Sequence, residues 1–114
     1  MRAHVSIEPG ICGFRTCIVA TSDDGQHVAF SVSSTCERIS RLAEKLAATG
    51  PVDAYAELAA GSSGRLLTLA RGALCGGCAG CVTPAALFKA MQVAAGLALP
   101  QDVVLHIGVE DDAA

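Results

Sequence analysis

Cys75, Cys78 and Cys81 recur at intervals of three in the run Leu74-Cys75-Gly76-Gly77-Cys78-Ala79-Gly80-Cys81-Val82-Thr83-Pro84. Such a stretch has almost no side-chain surface to bury in a core. Glycine and alanine instead let the backbone wrap closely, so that several sulfurs can converge on one point. Thiolates gathered in this way bind zinc or an iron–sulfur cluster. Two further thiols suit the same site: Cys12, in the Gly-flanked turn after Pro9-Gly10, and Cys36, in Ser34-Thr35-Cys36-Glu37. That second stretch has the form of a capping box, with Ser34 as N-cap, and puts Cys36 in the first turn of a helix. There the unpaired amides and the positive end of the helix dipole favour anions. Cys81 precedes another helix start at Thr83-Pro84. Cys17 falls in the middle of a strand pattern and reads as a small buried hydrophobe.

The remaining chemistry-bearing residues are sparse. His4 and His27 fall on outward strand faces and His106 lies in the last strand, which makes the histidines a poor source of ligands. Asp23 and Asp24 belong to a turn. No Ser/His/Asp grouping and no phosphate-cradling glycine loop occurs.

The elements that must position the thiols read as α+β. His4 to Glu8 alternates apolar Val5 and Ile7 with polar neighbours, as a half-buried strand does. Phe14 to Thr21 puts Phe14, Thr16, Ile18 and Ala20 on one face. Asp23-Asp24-Gly25-Gln26 is a hairpin signal, and the return strand from His27 to Ser33 points Val28, Phe30 and Val32 to one side. Ile39, Leu42, Ala43 and Leu46 then recur at helical spacing. Gly50-Pro51 ends that helix and starts a shorter one from Val52 to Ala59. Leu66, Leu67 and Ala70 predict another short helix that delivers the chain to Cys75. Thr83 as N-cap and Pro84 at the first position open a last helix, whose buried stripe is Leu87, Phe88, Met91, Ala94 and Ala95. Pro100 ends it. Val103 to Val109 reads as a final strand, and Glu110-Asp111-Asp112 as a solvated acidic tail. The whole is an antiparallel three-stranded meander, then helices, then a C-terminal strand, in one domain spanning 1–114.

Composition narrows the classes. With 114 residues, 52% of them hydrophobic, the chain is large enough to bury a core. A formal charge of −3, no Lys/Arg cluster and four aromatic residues argue against nucleic-acid binding. The longest apolar stretch, Ala90 to Leu99, is too short to span a bilayer. The first residues lack the apolar run of a signal peptide, so the expected compartment is the cytoplasm, where clustered cysteines signify metal or redox chemistry more often than disulfides.

The motif Cys75-x-x-Cys78-x-x-Cys81 is similar to the bacterial ferredoxin run, with Pro84 where that run has its fourth cysteine. Cys12-Gly13 ahead of a hairpin, Cys36 at a helix start and Cys81 before a final helix together resemble the NifU/IscU iron–sulfur scaffold proteins, and so a SufE/NifU-like fold. Cys75 or Cys78 ahead of Cys81-Val82-Thr83-Pro84 also resembles the TSCPD family, regarded as metal-binding. Pro84 to Pro100 is similar to a small uncharacterised bacterial and archaeal family. The scaffold resemblance implies Cys12, Cys36 and Cys81 as ligands. Scaffold proteins carry an Asp where this chain has Phe14 and a His where it has Gly80. That Asp is linked to cluster release, so Phe14 favours stable binding, with Cys75 or Cys78 as fourth ligand. The expected function is a non-catalytic protein holding zinc or an iron–sulfur cluster. Two alternatives stand beside it: a thiol or persulfide relay using Cys36 and the Cys78/Cys81 pair, and an interaction module without metal. A protein partner or a homodimer through the Ala-rich last helix fits any of the three.

Overall fold

The computed structural model describes residues 1–111. Among these residues four strands form one antiparallel sheet in the order β1 (Arg2–Ile7), β2 (Thr16–Thr21), β3 (His27–Ser34) and β4 (Val52–Asp53). Four helices follow or interrupt them: α1 (Glu37–Thr49), α2 (Ala54–Ala60), α3 (Arg65–Leu74) and α4 (Thr83–Ala94). The mixed α+β class and the β1–β2–β3 meander are therefore as expected from the alternation.

The pairing Ala3↔Ala20 and Val5↔Ile18, continued as Ile18↔Val32 and Ala20↔Phe30, aligns the apolar residues of three strands on one face. Helices α1 and α4 cover that face, α1 over β3 and α4 over β1 and β2, and α3 rests on both helices. Ile18, Val28, Leu42, Leu66, Leu87 and Met91 are fully buried between the layers. The other face carries the exposed side chains of Arg2, His4, Ser6, Cys17, Thr21, Ala29, Ser31 and Ser33. Cys17 is thus a correction. The period-2 pleat turns it away from the core that its residue type suggested.

Asp24 makes the β2–β3 turn. One carboxylate oxygen accepts the backbone N–H groups of Gln26 and His27, each at 2.8 Å, and the other meets His27 Nδ1 at 2.7 Å. Gly25 supplies the positive φ, +75°, that the turn requires.

Four local readings need revision. The capping box at Ser34 does not form: Cys36 is the N-cap of α1, Ser34 Oγ accepts the Cys36 N–H at 3.1 Å, and Glu37 pairs instead with Arg41 one turn on. Val52 and Asp53 are strand, not helix, because the Asp53 carboxylate caps α2 by accepting the N–H groups of Tyr55 and Ala56 and so holds its own backbone extended. In α4, Thr83 is the first helical residue and Val82 the N-cap, while Ala90 joins Leu87, Met91 and Ala94 in the buried stripe and Phe88 is only partly buried.

The fourth revision is the largest. Val103 to Val109 pairs with no strand among the described residues and stands exposed. Alternation is only half of what a strand needs; the other half is a neighbour's unpaired backbone, and the chain does not lay this segment against one. The proposed acidic tail is exposed at Glu110 and Asp111, and Asp112 lies outside the described residues. Among the described residues no helix is long and apolar enough to cross a membrane.

Candidate functional site

The register fixes where the thiol-bearing segments lie. Ile7 pairs with Thr16 and Thr16 with Ser34, so the end of β1, the start of β2 and the end of β3 form one row. Thr16 Oγ1 and Ser34 Oγ are hydrogen-bonded across that row at 2.8 Å. The connection carrying Cys12 spans this end of the sheet, in a 3-10 turn at Gly10–Cys12 closed by Gly13 in the left-handed region. The Thr35 N–H donates to the Arg15 carbonyl at 3.4 Å and ties that connection to the segment holding Cys36.

The glycine-rich loop is bound to the same end. Arg38, two residues after Cys36, reaches from α1 and donates through Nη1 to the Cys75 carbonyl at 3.2 Å. Gly77 lies under this guanidinium, where a Cβ would stand 2.7 Å from it. The loop then folds as successive turns, with the Cys81 N–H donating to the Cys78 carbonyl at 2.9 Å. At the far end of the sheet the Ser22 N–H meets the Met1 carbonyl, and a Cβ on Gly25 would lie 3.7 Å from the Ala95 carbonyl at the end of α4. Twelve residues of helix at about 1.5 Å each and six of strand at about 3.3 Å each both cover roughly 20 Å. Helix α4 therefore runs the length of the sheet, and its start, with Cys81, comes back to the Cys12 and Cys36 end.

Five thiols from three segments thus occupy one end of the molecule. All six cysteines are free. Cys36 and Cys81 are half-buried against the core, whereas Cys12, Cys75 and Cys78 are exposed. Cys36 caps α1, and Cys81, next to the Val82 N-cap of α4, directs its thiol at Thr83 Oγ1, 3.1 Å away. Two helix N-termini with their unpaired amides therefore open on the same region. Cys17 begins near this end but projects from the opposite face of the sheet.

The thiols share an end without closing on a point. Among the described residues no group of three His, Cys, Asp or Glu side chains is arranged to hold a metal ion. His4 and His27 are exposed, and His106 is exposed in the unpaired segment.

Arg38 is the residue that sequence reasoning missed. Its signal was a cation inside the first turn of the helix that Cys36 begins, which reads at first as a solvated charge.

A family model described as "Family of unknown function (DUF6951)" matches residues 3–107. No curated protein and no solved structure matches the chain.

Proposed function

We propose, for a chain that belongs to the family of unknown function DUF6951, a non-catalytic role in which the thiol end of the sheet binds zinc or an iron–sulfur cluster. The ligands are Cys12, Cys36, Cys81 and one of Cys75 and Cys78. The observation that carries this reading is the return of five thiols from three segments to one end of the molecule. The donor set fits: four thiolates suit tetrahedral zinc or a cluster, and the core at this end contributes no competing ligand.

Zinc–sulfur bonds of about 2.3 Å put the sulfurs of a tetrahedral site about 3.8 Å apart. Binding on this reading draws the exposed loop thiols onto the half-buried pair, Cys36 and Cys81. Gly76, Gly77 and Gly80 let the loop make that movement, and Arg38 holds its first turn in place with a charge opposite to that of the thiolates. A bound zinc would brace the loop; a cluster would store or pass an electron. The likeness to NifU/IscU scaffolds and TSCPD proteins belongs to this proposal, as does a cytoplasmic setting.

Anaerobic purification with metal analysis and visible absorption tests the reading. One equivalent of zinc, or the absorption of a cluster, is expected. Cys12→Ser and Cys81→Ser each lose it, and Cys17→Ser keeps it. A metal-free, colourless, monodisperse protein with six titratable thiols overturns the proposal, and loss of metal in Cys17→Ser overturns the ligand set.

One observation favours a second reading. Cys78 and Cys81 sit on a single turn, joined by a backbone hydrogen bond of 2.9 Å, and Cys36 caps a helix beside them in the same end. A thiol or persulfide relay would use these three, and it predicts that one cysteine is alkylated far faster than the rest at neutral pH.

A further inference from the structure

Residues 103 to 109 have the pattern of a strand and no strand beside them. Val103, Leu105, Ile107 and Val109 alternate with Val104, His106, Gly108 and then Glu110. All are exposed, Ile107 at 95% and Val109 at 100%. The molecule is drawn out to 55 Å along one axis against 28 and 24 Å along the others.

The sheet has a matching vacancy. Strand β1 is hydrogen-bonded on one edge only, to β2, among the described residues. Val5, on its inner face between buried Ala3 and Ile7, is only partly covered. Helix α4 packs over β1 and β2 at this side of the sheet. At about 100° per residue, Ala86 and Val93 lie on the flank of α4 away from Phe88 and Gln92, which meet α3. That flank is apolar and half-buried too. An added strand would cover it and complete the layer.

Side-chain chemistry selects the direction of that strand. Antiparallel to β1, the apolar positions face one another as Val109 with Ala3, Ile107 with Val5 and Leu105 with Ile7, and Glu110 falls beside Arg2 on the outer face. Parallel addition sends Glu110 to the Ile7 end, away from Arg2. The chain's own tail cannot supply the antiparallel strand. Helix α4 ends at the Met1 end of the sheet, whereas an antiparallel strand must enter at the Ile7 end, about 20 Å away. The few residues between Leu97 and Val103 would have to run fully extended along the whole edge, at about 3.5 Å each, and then reverse.

We propose that two copies of this chain exchange their C-terminal segments, each laying residues 103–110 antiparallel on the free edge of the other's β1. The exchange is reciprocal and closes as a two-fold dimer with two five-stranded sheets. The partner's strand enters at the Ile7 end, where the thiols also lie, but the pairing of residues 103–110 with Arg2–Ile7 uses no cysteine, and its test reads association and not metal content.

Sedimentation analysis of the full chain, with circular dichroism as a check on folding, reads the result. The wild type should have the mass of two chains at micromolar concentration. Ile107→Asp should be a folded monomer. Glu110→Arg should weaken the dimer several-fold, Arg2→Glu likewise, and the two together should restore it. A wild-type monomer overturns the proposal, whether its tail is loose or docked on its own sheet. A dimer indifferent to Ile107→Asp overturns it as well, and failure of the double charge reversal to restore association overturns the register.

Discussion

The Asp24–His27 contact perturbs both of its members, and both are solvent-exposed. The His27 ring, then the backbone N–H groups of His27 and Gln26, hold the Asp24 carboxyl well below the usual carboxylate range. The same hydrogen bond raises His27 above its ordinary 6.5. The raised histidine contributes to folding below 6.5 and loses that contribution as pH climbs through its folded value. The depressed carboxylate contributes above 3.8 and loses it as pH falls through its own. The β2–β3 turn is therefore held best between those two values. Titration of the His27 ring by NMR should give a midpoint above 6.5, and Asp24→Asn should bring it back towards 6.5; an unmoved midpoint would show that the contact does not persist in solution. Asp-Asp-Gly announced a hairpin, but its partnership with His27 was not legible. It depends on the carboxylate reaching back over two amides to a ring three residues on.

At the scale of elements, helix starts carry the instructive differences. Glu57, buried at 6% exposure inside α2, sends Oε2 to the Leu66 N–H at 3.2 Å and so serves the first turn of α3 from another helix. Gly64 leaves room for it, since a Cβ there would collide with the carboxylate. Glu57→Ala strands that buried amide and should cost about 1–3 kcal/mol in chemical denaturation. Glu57→Gln, which keeps an acceptor, should cost less. Periodicity made α1 plain, because Ile39, Leu42 and Leu46 all reach the core. The Ser34 cap was not to be had from the same letters. Ser34 is already engaged with Thr16 across the sheet and with the Cys36 amide, and that tertiary tie moves the helix start two residues on. A cap inferred from spacing alone omits such competition.

The whole molecule is a polar object in which apolar order was legible and thiol geometry was not. Alternation located three strands because one face of each is buried, and it misled at 103–109 because no strand among the described residues lies beside that segment. The spacing of Cys75, Cys78 and Cys81 marked out a candidate site, but only the sheet register brings Cys12 and Cys36 to the same end. Nothing in the sequence specifies how far apart the sulfurs rest. Core and thiols also separate energetically. Leu42→Ala, at a fully buried position, should lower stability by about 2–5 kcal/mol, whereas Cys75→Ser and Cys78→Ser, on the exposed loop, should leave the metal-free protein within about 0.5 kcal/mol of wild type.

That separation bears on how such a chain can change over time. The side chains that pack α1 and α4 on the sheet and α3 on both helices form the core, whereas Cys12, Cys75 and Cys78 are exposed. On the proposed function, substitutions there would alter metal binding with little toll on whether the chain folds. The proposed site could therefore lose a ligand, gain one or move it along the glycine loop in single steps, each leaving a folded protein on which selection can act.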